Sequence, residues 1–127
     1  MPITITVDEE TGIAVGTGSG ELTLDEMKAA ARDLWNTSGF GRKCVLWDVR
    51  RSLFNATPSE VRELADFART GSRLEPGARM AFVAGGDLEF GLIRMFEVFR
   101  EDDKVETYVF RDLEQAWAWL REAADCH

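Results

Sequence analysis

The sequence predicts an α/β fold: a single domain over residues 1–127, with an N-terminal β-hairpin followed by βα units. These units build a mostly parallel five-stranded sheet with four helices. Three observations predict it. Strand-like and helix-like segments alternate along most of the chain, the pattern of βαβ units. Two strand segments, around Val45 and Phe82, are short continuous apolar runs, which suit strands covered on both faces. The chain has 127 residues, enough for one domain with its own core, and no linker or internal repeat divides it.

Ile3, Ile5 and Val7 alternate with threonines and predict a half-buried first strand. Asp8 to Gly12 is a turn, and Ile13 to Thr17 is its hairpin partner. Thr23 and Glu26 form a capping-box pattern ahead of a helix with core positions Met27, Ala30, Ala31 and Leu34, ended by Gly39 and Gly41. A central strand follows from Lys43 to Val49, with Asp48 at its C-terminal end, and then a loop. Thr57-Pro58-Ser59-Glu60 caps a second helix with the stripe Val61, Leu64, Ala65 and Ala68, stopped by Gly71. Arg79 to Ala84 is the next strand. Asp87 is the expected N-cap of a helix from about Leu88 to Arg100. Val105, Thr107 and Val109 mark the last strand. Asp112 caps a final helix with Leu113, Ala116, Trp117 and Leu120 on its core side.

Composition narrows the function classes. Asp and Glu total 23 against 15 Lys and Arg, a formal net charge of -8. That sign opposes binding to nucleic acid and to anionic membrane surfaces. No apolar run is long enough to span a bilayer, and no basic-then-apolar leader opens the chain, so a cytoplasmic protein without a transmembrane segment is expected. Cys44, Cys126 and His127 are too few for a zinc site. Cys44 is expected as a buried strand thiol and Cys126 as a loose tail thiol. No metal and no cofactor is expected.

Four features are candidates for chemistry. The series Gly16-Thr17-Gly18-Ser19-Gly20 lacks the lysine and spacing of a phosphate loop, and reads as a strand end and flexible turn. Gly85-Gly86-Asp87 sits between a strand and a helix, where ligands of open α/β sheets collect, but its carboxylate competes with an anion. Asp48 precedes the hydroxyls of Ser52, Thr57 and Ser59, yet no base accompanies it, so no catalytic residue and no enzyme is expected. In the helix from Leu88 to Arg100, Leu88, Leu92, Met95, Phe96 and Phe99 occupy one broad side, while Phe90 and Ile93 project from the other. Apolar residues on both sides point to full coverage or to a partner.

The segments Val45-Leu46-Trp47-Asp48-Val49-Arg50, Ala78 to Gly85 and Val109 to Leu120 resemble the SpoIIAA-like, or STAS/SEC14-like, family of small bacterial proteins. The likeness runs from Ile3 to about Leu120. It implies a regulatory or carrier module rather than an enzyme. Anti-sigma-factor antagonists of similar fold bind a partner after the Asp-ended strand and are switched by phosphorylation at the next helix start. By that likeness Thr57 and Ser59 are the candidate phosphoacceptors, although Asn55-Ala56-Thr57-Pro58 stands where the antagonists carry an Asp-Ser pair. The resemblance also implies a pocket for apolar molecules under the third helix.

Two functions remain. One is a non-enzymatic interaction module that presents the Asp48–Ser59 segment and the Phe90/Ile93 face to a protein partner or to a second copy as a homodimer. The other is a carrier or sensor of a small apolar or lipid molecule. The expected binding residues are Asp48, Ser52, Phe90, Ile93 and Phe96.

Overall fold

The alternation of apolar runs and capped amphipathic segments produces β1 (Ile3–Val7), β2 (Ala14–Leu22), α1 (Leu24–Trp35), β3 (Cys44–Phe54), α2 (Pro58–Gly71), β4 (Ala78–Ala84), α3 (Asp87–Phe99), β5 (Val105–Phe110) and α4 (Leu113–Glu122). The structure, a computed structural model, describes residues 3–38, 40–41, 43–71, 74–100 and 105–123. The five strands lie side by side in sequence order, with β1 antiparallel to β2 and every later pair parallel. Each crossover therefore steps one strand in the same direction. A common hand then places α1, α2 and α3 on one face of the sheet, and α4 packs on the other.

The predicted element order and the mostly parallel sheet are observed. The caps are observed as well. Thr23 and Glu26 bond reciprocally at α1, Thr57 and Glu60 do so at α2, and Asp112 accepts from Glu114 and Gln115 at α4. Two termini differ from expectation. The N-cap of α3 is Gly86, and Asp87 is already helical. α1 closes at Asn36, whose side chain and backbone both donate to the Arg32 carbonyl, five residues before Gly41. Gly39 lies outside the described residues.

β2 and β3 are both longer than the sequence suggests. The glycine series is strand interior rather than a turn, because β2 runs on to Leu22. Its glycines serve packing. A Cβ on Gly16 would come within 2.3 Å of the Trp47 ring, and one on Gly18 within 2.6 Å of Ser52 Oγ. Asp48 is correspondingly mid-strand, not at the C-terminal end of β3. The extension is hidden by a bulge: β2 advances from Thr17 to Ser19 while β3 advances from Asp48 to Arg51. The extra residue turns Arg50 and Arg51 outward and returns Ser52 and Phe54 to the interior.

Cys44 is disulfide-bonded, which corrects the expected free thiol. It opens β3 on the face that α4 covers and shares a core cluster with Leu120 of α4. The other cysteine, Cys126, lies outside the described residues, as does His127. Among the described residues no helix is long and apolar enough to cross a membrane.

Candidate functional site

The helix that attracted attention in the sequence is rotated from its expected phase. Its inward line is Glu89, Ile93, Phe96 and then the C-cap Arg100. Its outward line includes Leu88 and Val98, which are 59% and 64% exposed. Ile93 is therefore buried and does not belong to an exposed face. Phe90 is half-buried, and the Arg111 guanidinium lies 4.3 Å from its ring centre while bonding Asp87 at 2.8 Å. Of the Phe90/Ile93 face expected to greet a partner, Ile93 is thus inside the chain, and Phe90 is half-buried beside Arg111.

What Ile93 and Phe96 face is a cavity of about 110 Å³ between the sheet and the three helices on its surface. Its floor is a row across adjacent strands. Gly16, Trp47 and Phe82 are consecutive register partners on β2, β3 and β4. With no Cβ at Gly16, the Trp47 ring lies across β2, stacked against Phe82 with centroids 6.5 Å apart. Phe96 meets Phe82 edge-on at 5.5 Å. The roof comes from Ala30 and Leu34 of α1, Val61, Leu64 and Ala68 of α2, and Ile93 of α3. Small alanines line the α1 and α2 walls, which leaves space where larger side chains would have met. Lys28 of α1 pairs with Glu63 of α2, and Trp35, which also lines the cavity, packs on Phe67. Gly71 admits the Trp35 ring, which a Cβ there would approach to 2.6 Å.

The cavity adjoins an open groove of about 450 Å³ at the C-terminal ends of β2 and β3. Leu22, Met27, Phe54, Ala56 and Glu60 line both spaces. Leu53 and Leu88 stand on the groove's rim, Leu53 being 58% exposed. Glu89 is buried in its wall and accepts from the Phe54 amide at 3.4 Å, which ties the start of α3 to the end of β3. Its carboxylate also folds back beside Gly86, where a Cβ would come within 2.1 Å of Oε1. Sequence reading missed this inward glutamate, since a lone Glu on a helix is usually solvated. The cue was its place three residues after a helix N-cap, from which a carboxylate reaches back to the free amides.

The remaining predicted residues lie apart from the cavity. Asp48 is on the α4 side of the sheet and accepts both guanidinium arms of Arg50, at 2.9 and 2.8 Å. Hydrogen bonding by Arg50 holds its carboxyl below the usual value, against the burial that raises it. Ser52 is 3% exposed and packs against Gly18, so it is not a loop hydroxyl. Thr57 is engaged in the α2 cap, and Ser59 is exposed in the first turn. Neither β3 nor the α2 start brings a base to Asp48 among the described residues, and these hold no cluster of three or more metal-ligating side chains. At the sheet's far side, burial raises the pKa of the Glu97 carboxyl, opposed by the nearby Arg94 charge and the Val109 backbone.

A five-stranded sheet in this order, with three helices on one face and a closing helix on the other, is a SpoIIAA-like fold. A DUF3478-family protein with that fold from Shewanella loihica PV-4 has a similar crystal structure, at a TM-score of 0.58 and 20% identity over 93% of this chain and 91% of that one. No family model and no curated protein sequence matches the chain.

Proposed function

We propose that this protein binds a small apolar molecule, or the apolar part of a larger one, in the partly open cavity between the sheet and α1, α2 and α3. The cavity itself carries the reading. At roughly 24 cal/mol per Å³, an empty space of this size forgoes about 2–3 kcal/mol of packing, a large share of a domain's net stability. A ligand recovers that loss. The volume is somewhat below the roughly 150 Å³ of an apolar cavity that accepts benzene, and the adjoining groove extends it. A carrier or sensor role suits the site better than catalysis: among the described residues its walls are aromatic and aliphatic apart from Glu60, which is bonded into the α2 cap, and Arg100, the buried C-cap of α3. The partner-binding reading loses support, since Ile93 is inside and Phe90 lies under Arg111.

Titration with n-hexanol, followed through the methyl NMR signals of Ile93 and Leu64, tests the proposal. Saturable shifts at these methyls, with those of exposed Val98 unmoved, are expected. Shifts that are absent, or that scale linearly at all methyls alike, contradict it.

A further inference from the structure

The groove that adjoins the cavity carries a charge sign. Glu21, Glu60 and Glu89 line it, and no Lys, Arg or His does among the described residues. Glu60 lines the cavity too, so a residue whose carboxylate accepts from the Thr57 amide borders both the apolar space and the open groove. Three helices begin around this mouth, and free helix N-termini attract anions. Here those ends are already answered. Glu26 and Glu60 bond back to the cap residues of α1 and α2, and the Glu89 carboxylate folds over the start of α3. An incoming anion therefore meets carboxylates rather than open amides. The cavity's cation, Arg100, is the C-cap of α3, eleven residues from Glu89 and about 16 Å away along the helix. It is 1% exposed and engaged in an interaction of its own.

From this juxtaposition we infer that the ligand is a cationic amphiphile: an apolar body in the cavity and a protonated amine at the mouth beside Glu60. This rests on the cavity reading above and specifies its ligand class. An ammonium brings three donors and no acceptor, and charge-assisted bonds to carboxylates are the strongest it can form. A fatty-acid carboxylate of the same length places like charges together in a partly desolvated mouth, which is repulsive. The site thus selects against the acids that an apolar pocket would otherwise accept.

Matched ligands separate the two claims. n-Hexylamine, n-hexanol and hexanoate share one body and differ in head charge at neutral pH. The expected result is hexylamine binding at least about tenfold more tightly than hexanoate, with hexanol between them. In the Glu21→Gln/Glu60→Gln double variant the gap falls below about threefold while hexanol affinity is unchanged. Gln at position 60 still offers an oxygen to the Thr57 amide, and unchanged hexanol binding reports that the cavity persists. Hexanoate binding as well as hexylamine, or a gap that the double variant leaves intact, overturns the amine assignment and leaves the apolar cavity standing. Failure of hexanol to bind overturns both.

Discussion

Gly16→Ala is expected to destabilise the fold by about 2 kcal/mol, a large effect for one methyl group. The new Cβ would sit 2.3 Å from Cε3 and 2.4 Å from Cζ3 of Trp47. The indole cannot yield cheaply, because Phe82 stacks on it and Phe96 stands edge-on to Phe82. Shifting it disturbs the whole aromatic floor. The cause can be isolated by a double-mutant cycle in chemical denaturation. In a Trp47→Leu background the methyl has space, so its cost should fall by at least about 1 kcal/mol. An equal cost in both backgrounds would locate the strain in the β2 backbone instead.

Ala68→Leu is expected to abolish binding of small apolar molecules without weakening the fold. Ala68 lines the cavity from α2, opposite the aromatic floor. Three added carbons at about 0.8 kcal/mol per buried methylene supply up to roughly 2 kcal/mol if the space is empty. Hexanol affinity should drop by at least about tenfold while the melting temperature holds or rises. Leu88→Ala on the exposed rim serves as the contrasting change and should leave the cavity's affinity for hexanol intact. A large loss of stability in Ala68→Leu would mean that the space is already filled in solution.

These expectations rest on features that differ in how visible they are in the sequence. The caps at Thr23, Thr57 and Asp112 are local hydrogen-bond chemistry, so residue type and a three-residue spacing reveal them. The order of strands and helices follows from apolar periodicity in the same way. The extension of β3 is not visible, because the bulge at Arg50 and Arg51 breaks the two-residue alternation by which strands are recognised. The rotation of α3 is hidden for a different reason. A helix apolar nearly all round gives no phase, and the phase is set by Glu89 bonding to the end of β3, a contact thirty-five residues away. Gly16 is legible as a strand residue, though it lies inside β2 rather than at its end, and the space it leaves for an indole is not legible, since the partner lies on another strand. The cavity draws on elements from β1 to α3, and no stretch of sequence contains it.

Pressurising crystals with xenon probes the space beneath α1 and α2 itself, since xenon enters apolar cavities without needing a hydrogen bond. A xenon site is expected between Trp47, Leu64 and Phe96, and is expected to be absent from crystals of Ala68→Leu. Xenon excluded from that space, with helices α1 and α2 packed directly onto the aromatic floor, would contradict it.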